Sequence, residues 1–370
     1  MPLPELPLLK IRDVTVRSVL VPLPHPLVTR VITIDKMALL LIDVETEEGV
    51  TGRSYLFGFS ERGNAYLAPI IRDMAAAATG DPIVPLDLYN KGLKQFTLFG
   101  HKGLPLFAVA GLDMAYWDAL AKATGQPLAT FLGGSMDPIP AYNSNGLGLT
   151  NDLGALAAEA GSLIAEGDFN MAKVRLGRNT LEQDIAAFRA VRAAVGDDVL
   201  LPVDFNQGLD LDEALKRGKA LDAEGVYWIE EAIVYDNFEG YAQLTAEIKT
   251  PNQIGENFHG PKDFSDAIAA KACNFAMPDL QRIGGVTGWL CAMAIAEEAR
   301  MPMSSHIFPE VSAHVMTVTP TAHWLEYTSW ANPIIAEPMV ITDGHAIIPD
   351  RPGVGLAWDE AAVATYQVEV

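Results

Sequence analysis

Asp204, Glu230 and Glu256 stand 26 and 26 residues apart in a chain of 370, and each closes a short apolar run. The same phase continues at Asp279, His306 and Glu326, after steps of 23, 27 and 20 residues, and begins earlier at Lys173 and Arg175. A single acid in an acidic protein is ordinarily a solvated loop group. Three carboxylates brought face to face repel one another unless a cation lies between them. An all-oxygen set that leaves positions open suits Mg²⁺, whose remaining positions go to water and substrate. Glu231 follows Glu230 directly, so strand geometry turns it to the other side and it reads as structural.

Asp279 and His306 close the next two runs. A carboxylate bonded to one imidazole nitrogen fixes the tautomer and raises basicity, which leaves the other nitrogen as a general base. His314 and His323 lack that address and read as structural. A positioned base contributes roughly 10²–10⁴-fold, whereas enzymes commonly supply ~10⁶-fold or more. Abstraction of a proton α to a carboxylate therefore needs electrostatic stabilisation of the developing charge. Mg²⁺, Lys173 and a protonated Glu326 are the available groups. The apolar Trp324-Leu325 before Glu326 suggests burial that raises its pKa until it can donate a hydrogen bond.

The elements that bring these residues together follow from the repeat. From about residue 138, apolar runs recur at Ile139–Tyr142, Ala172–Leu176, Val199–Phe205, Val226–Ile229, Gln253–Gly255, Phe275–Pro278, Pro302–Ser305 and His323–Leu325. Amphipathic helices fall between most of them, at Leu181–Val195, Leu211–Ala223, Phe264–Lys271 and Trp289–Arg300. Thr180 with Gln183, and Asp210 with Glu213, have capping-box spacing. A βα unit about every 25 residues, repeated about eight times, predicts a closed (β/α) barrel whose strand ends share one mouth. Residues 1–130 instead read as strands (Val14–Val21, Ala38–Val44) followed by helices (Ala65–Ala77, Leu104–Ala123), an α+β capping domain. Phe107, Gly111, Met114 and Leu120 mark one apolar side of the last helix. The fold class expected is α/β, a modified TIM-type barrel over residues 138–333 with that N-terminal cap. A tail at 334–370 would pack outside the barrel, back toward the cap.

Lys+Arg 26 against Asp+Glu 47 give a net charge of −21, which with no basic cluster excludes nucleic acid and anionic membrane as partners. No run reaches the ~20 apolar residues of a spanning helix, and MPLPELPLLKIRD lacks the apolar core of a signal peptide. A cytoplasmic protein is expected. Cys273 and Cys291 have neither disulfide-framework nor zinc spacing, and each reads as a small buried hydrophobe.

With these residues in place, the chain resembles the enolase superfamily, and within it the mandelate racemase subgroup. The resemblance runs over nearly the whole length. It is carried by Ser54-Tyr55-Leu56-Phe57, by Ala110-Gly111-Leu112-Asp113-Met114-Ala115-Tyr116-Trp117-Asp118-Ala119-Leu120, by Val203-Asp204-Phe205-Asn206-Gln207 and by Trp228-Ile229-Glu230-Glu231. It continues through Gly255-Glu256-Asn257, Met277-Pro278-Asp279, Ile283-Gly284-Gly285-Val286-Thr287-Gly288-Trp289, Ser304-Ser305-His306 and His323-Trp324-Leu325-Glu326. The resemblance implies Asp204, Glu230 and Glu256 as Mg²⁺ ligands, Asp279–His306 as the base dyad and Glu326 as the acid facing the substrate carboxylate. Lys173 would neutralise that carboxylate, with Asn206 and Ser144 nearby. It further implies a homo-oligomer and a cap that shapes the distal pocket through Val31, Ile34 and Tyr55, with Arg30 and His101-Lys102 as polar contributors.

One position departs from the subgroup pattern. Where a two-base racemase carries Lys-x-Lys, this chain has Lys173-Val174-Arg175. A guanidinium with a pKa above ~12 makes a poor base, so Arg175 reads as a fixed cation gripping the substrate. The expected activity is Mg²⁺-dependent removal of the α-proton of a small 2-hydroxy carboxylate by His306, and dehydration of a sugar acid to a 2-keto-3-deoxy acid. The alternative is a 2-hydroxy-acid racemase or epimerase, supported by the apolar Val31, Ile34 and Tyr55. A non-catalytic barrel fits less well, because the other catalytic positions are intact.

Overall fold

The computed structural model describes residues 8–370. The first seven residues, which open the stretch read as lacking an export signal, lie outside the described residues.

The cap begins with an antiparallel meander, β1 (Ile11–Val28), β2 (Thr33–Thr46) and β3 (Thr51–Phe57). Its strands outrun the aliphatic segments Val14–Val21 and Ala38–Val44, because β1 is bulged between Pro22 and Leu27 and pairing resumes beyond it. The extension ends in a hairpin tip at 29–32, fastened where Thr29 Oγ1 accepts from the Val31 and Ile32 amides at 3.2 and 3.0 Å. Three helices follow: α1 (Glu61–Ala78), α2 (Pro85–Gln95) and α3 (Leu104–Ala123). Ser60 caps α1, starting it earlier than the apolar periodicity from Ala65 suggests. In α3 the one-sided stripe is not what is found. Almost every residue from Leu106 to Ala121 is buried, because α3 lies between the meander and the barrel helix Gly285–Ala299. Among the described residues it alone is long and apolar enough to cross a membrane, and 83% of its apolar window is buried inside the fold.

The barrel closes through β4 (Ile139–Asn143), β5 (Val174–Arg175), β6 (Val203–Asp204), β7 (Ile229–Glu230), β8 (Asn252–Ile254), β9 (Phe275–Ala276), a bridge strand at Met303 and β10 (Leu325–Tyr327). Neighbours are parallel, and β10 pairs back onto β4 to complete the ring. The intervening helices include Leu181–Val195, Leu211–Leu221, Pro261–Ala269 and Gly285–Ala299, and also Leu153–Ala165, Phe238–Glu247 and Pro309–Met316. Thr180 and Gln183 form the full capping box. Asp210 caps its helix, but the Glu213 side chain pairs with Lys216 and Arg217 instead of returning.

Beyond residue 333 the chain divides its contacts. The hairpin β11 (Val340–Thr342) and β12 (His345–Ile347) joins barrel strand β4, whereas β13 (Gln367–Val368) pairs with β1 of the cap. The tail therefore does not only pack toward the cap; it also pairs antiparallel with a barrel strand. Cys273 is buried, but Cys291 is exposed, correcting its reading as a core residue.

Polar clamps hold cap to barrel. Asp113 on α3 accepts from the Thr287 amide (2.8 Å) and Thr287 Oγ1 (2.5 Å), so a cap carboxylate serves the N-terminus of helix Gly285–Ala299. Such a helix end offers unpaired N–H groups and a partial positive charge. Gln281 pairs both backbone groups of Phe57, accepting at 2.7 Å and donating at 3.0 Å. Tyr55 donates to Glu310 at 2.6 Å.

Candidate active site

Parallel registration places the ends of β5, β6 and β7 level, with Arg175 opposite Asp204 and Asp204 opposite Glu230. Glu256 follows Gly255, whose φ of +136° and close approach to Phe258 and Met277 would force a Cβ to within 2.8 Å of the Phe258 ring. The carboxylates of Asp204, Glu230 and Glu256 each offer an oxygen within 4.8 Å of the others. Asp204 is oriented by the Asn206 amide and Nδ2 at 2.7 and 2.9 Å. Glu230 is oriented by Trp228 Nε1 at 3.1 Å and Lys173 Nζ at 2.5 Å. The buried Asn206 Oδ1 has no partner. Hard oxygen donors converging beside an unpaired amide oxygen fit Mg²⁺.

Burial and neighbouring carboxylates push Glu230 up to about 8, against the pull of Lys173. A carboxylate held protonated in this way is one that a cation would restore to its charged form. Glu231, at φ 35°, leaves the triad and accepts from Asn257 Nδ2 at 2.7 Å.

His306 Nδ1 lies 2.7 Å from Asp279 Oδ2, leaving Nε2 toward Glu256 (3.4 Å) and Glu326 (3.9 Å). Burial lowers the imidazole pKa, but Glu256, Glu326 and Asp279 outweigh it and raise it to about 9. Positive charge placed on Glu256 would weaken that pull and free Nε2 as a base.

Glu326 departs from the protonated acid anticipated from its apolar neighbours. Burial does push it up, but Lys173 Nζ at 2.7 Å, His306 and the Ile307 amide at 2.9 Å bring it down to about 2. The opposing charges are stronger than the burial, so it is a carboxylate.

Arg175 is buried, donating to Gly146 O at 2.5 Å and to Ser144 O and Oγ at 3.2 and 3.3 Å. These carbonyl oxygens fix the guanidinium in position.

These groups face one cavity of about 370 Å³, shared by Lys173, Arg175, Asp204, Asn206, Glu256, His306 and Glu326. Val31 and Ile34 line it from the cap. Tyr55 does not: its hydroxyl is turned to Glu310 and its ring to Phe308, 5.1 Å away. Ser144 is likewise absent from the wall and acts on Arg175. Arg30 donates to Gly177 O at 2.7 Å, outside the cavity. Lys102 pairs with Asp263 at 2.8 Å, and neither it nor His101 reaches the wall. His314, pushed down to about 4 by burial, accepts from the Ala129 amide. His323, also down to about 4, sits among Tyr227, Trp228 and Phe275.

Arg282, Gln207, Phe57, Phe59 and Trp330 line the cavity without having been singled out for it. Two carried a signal. Arg282 lies one turn after Asp279, and Trp330 lies just beyond the strand end that carries Glu326. Phe59 gave none, since its placement depends on a left-handed φ of 62°. Positive φ also occurs at Asn206, Gln207, Glu231, Ile307 and Phe308, so strained backbone gathers at the strand ends. Such strain costs about 1–3 kcal/mol per residue and collects at functional sites.

Two family models together match most of the chain: the mandelate racemase / muconate lactonizing enzyme N-terminal domain over residues 11–133 and the enolase C-terminal domain-like model over 155–362. The L-talarate/galactarate dehydratase of Salmonella typhimurium is 30% identical over 88% of this chain and 82% of its own. A solved enolase from the alpha proteobacterium BAL199, with bound Mg, is 50% identical, with a TM-score of 0.95 over 97% of this chain and 100% of its own. An enolase from Bradyrhizobium, solved with magnesium and mandelic acid, is 43% identical, with a TM-score of 0.93 over 98% and 99%. The chain belongs to the mandelate racemase / muconate lactonizing enzyme family of the enolase superfamily.

Proposed function

We propose that this chain is a Mg²⁺-dependent hydro-lyase that removes the α-proton of a 2,3-dihydroxy carboxylate with His306 and expels the β-hydroxyl as water. The observation that carries this reading is the pairing of one positioned base with one immobilised cation. His306 Nε2 faces the cavity while Asp279 holds Nδ1, whereas Arg175 is locked against the carbonyls of Ser144 and Gly146. Racemisation needs a competent base on each face of the α-carbon, and Arg175 is a poor one. Dehydration needs only one residue that takes a proton and gives it back.

Bound among Asp204, Glu230 and Glu256, Mg²⁺ would supply the positive charge that offsets the negative charge gathering on the substrate carboxylate as the α-proton leaves. Lys173, buried among Asp204, Glu230 and Glu326, adds an ammonium on the same side. His306 Nε2 takes the proton from C2, and Asp279 steadies the imidazolium. His306 then returns that proton to the hydroxyl leaving C3, so a C–O bond breaks and water departs. The enol that remains becomes the 2-keto-3-deoxy acid. Sugar acids, the substrates named for the dehydratase relative, satisfy the 2,3-diol requirement.

A second reading, racemisation or epimerisation of a 2-hydroxy acid, is favoured by the apolar wall at Val31 and Ile34 and by the mandelic acid of the Bradyrhizobium relative. Family membership supports a homo-oligomer, to be checked by light scattering, and two unpaired thiols suit the reducing cytoplasm. The activity is tested by incubating Mg²⁺-loaded protein with a panel of 2,3-dihydroxy acids and following products by NMR. A 2-keto-3-deoxy acid that disappears with EDTA and returns with Mg²⁺ supports dehydration. Enantiomer interconversion without loss of water would replace it with the second reading.

A further inference from the structure

We propose that the acid dehydrated here has an apolar far end: a 2,3-dihydroxy carboxylate whose chain beyond C3 is aryl or alkyl, not a polyhydroxylated sugar acid. The inference rests on the dehydration reading for its diol and on the apolar part of the cavity wall for its tail.

That wall is built by Ile34, Phe57, Phe59 and Trp330, with Val31 and Ile32 at the mouth. The rings of Phe57 and Phe59 lie 4.3 Å apart, and those of Phe57 and Trp330 6.2 Å apart. Val31 and Ile32 are 62% and 42% exposed, an uncovered apolar rim at the mouth of a cavity otherwise roofed by aromatic rings. Exposed apolar surface of this kind marks a place where something apolar binds.

Phe59 holds its place at a cost. A bulky residue at φ 62° is a backbone outlier. In return its ring lies on the cavity, 5.1 Å from the Arg282 guanidinium. A solvated loop would relax to a residue that tolerates this conformation; an aromatic contact surface would not.

Several of the polar groups nearby already have partners. Thr29 Oγ1 donates to Ile32 O at 3.0 Å while accepting the Val31 and Ile32 amides. Arg282 lies 3.5 Å from Asp279 and over the rings of Phe59 and Phe107. Gln207 Oε1 accepts from the Tyr235 amide at 3.0 Å. The hydroxyls of a sugar-acid tail laid against Ile34, Phe57, Phe59 and Trp330 would be desolvated on apolar surface, which penalises binding. Apart from Arg282, which lies over Phe59, the charged residues of the cavity are Lys173, Arg175, Asp204, Glu256, His306 and Glu326, the groups of the reacting end.

The test ranks six-carbon gluconate and galactonate against 2,3-dihydroxyhexanoate and 2,3-dihydroxy-3-phenylpropanoate, each as its C2 and C3 stereoisomers, with the Mg²⁺-loaded enzyme. The best apolar-tailed acid is expected to exceed the best aldonate by roughly 10²-fold in kcat/KM, the size of discrimination an apolar pocket achieves against added hydroxyl. An aldonate that equals or exceeds it overturns the proposal. Calorimetry on Mg²⁺-loaded His306→Asn ranks the same acids by affinity. Tighter binding of apolar-tailed acids, with no keto acid made from any compound by the wild type, refutes dehydration and leaves the apolar tail supported. Equal or tighter binding of aldonates overturns the tail whatever the reaction. Phe59→Asn places a residue tolerant of positive φ at this position, so the fold is kept. It should reduce the preference by about 10-fold, since one contact surface of several is lost, with Mg²⁺ affinity unchanged. An unaltered preference contradicts the assignment.

Discussion

The barrel rim and the cap meet the same cavity with opposite chemistry. The rim contributes charge at fixed positions: Asp204, Glu230 and Glu256 within 4.8 Å of one another, His306 on Asp279, Arg175 clamped by carbonyls. The cap contributes apolar surface at the hairpin tip and around Phe57 and Phe59. Its own polar side chains are spent on joining the two parts, as Tyr55 does on Glu310 and Asp113 on Thr287. On the proposed function, reaction type would reside in the rim and substrate choice in the cap. Substitutions should separate the same way, those in the rim abolishing turnover and those in the cap altering which acid is turned over or how firmly the parts hold.

The largest separation is expected at His306. Asn keeps a hydrogen-bonding group beside Asp279 but takes no proton, so His306→Asn should lower kcat by roughly 10⁴-fold, the upper end for a general base, while Mg²⁺ binding by calorimetry stays close to wild type. Comparable residual turnover would break the division.

A cap residue sets the next effect, on stability and not on rate. Asp113 is fully buried and burial lifts its pKa from 3.8 to about 7 despite its bonds to Thr287. The folded state binds this proton more tightly than the unfolded chain. Its contribution is complete below pH ~4 and is lost as pH rises through about 7, on the order of 4 kcal/mol across the window. Denaturant melts from pH 4 to 8 should show Asp113→Asn with a flatter profile than wild type. Parallel profiles would remove Asp113 from the account.

On the rim, Glu256→Gln should raise the Kd for Mg²⁺ by about 10²-fold or more, since even residues that only orient ligands cost 10–100-fold. Unchanged affinity would place the ion elsewhere. The smallest effect belongs to Tyr55→Phe. Glu310 has one oxygen already without a partner, and losing the Tyr55 hydroxyl should cost about 1–3 kcal/mol of stability. Product specificity should not change, and a switch in preferred substrate would return Tyr55 to the pocket wall.

The same division explains what could be read from the chain. A βα repeat shows in the spacing of apolar runs, and each βα unit carries its reactive residue to the same end. Asp204, Glu230, Glu256, Asp279 and His306 thus stand out by their position in the repeat alone. Cap contacts have no such period. Tyr55 and Phe57 lie two residues apart on β3, yet Tyr55 turns to Glu310 and Phe57 reaches the cavity, an outcome set by packing against the barrel. Phe59 depends on a single backbone torsion. The charge on Glu326 is hidden from the chain for a related reason: apolar neighbours predict burial, but only the folded ring brings Lys173 to 2.7 Å. The long helix α3 looked one-sided because its second partner, helix Gly285–Ala299, is far away in sequence.

The central claim is that His306 acts alone on one face of the substrate. Mg²⁺-loaded wild type and His306→Asn would be incubated in D₂O with the two C2 epimers of a turned-over acid, and α-deuterium followed by NMR. Reaction of one epimer only is expected, abolished in His306→Asn, with no exchange in the other. Exchange of the second epimer that survives in His306→Asn would contradict it, because a base on the opposite face, at Arg175 or elsewhere, would then be at work.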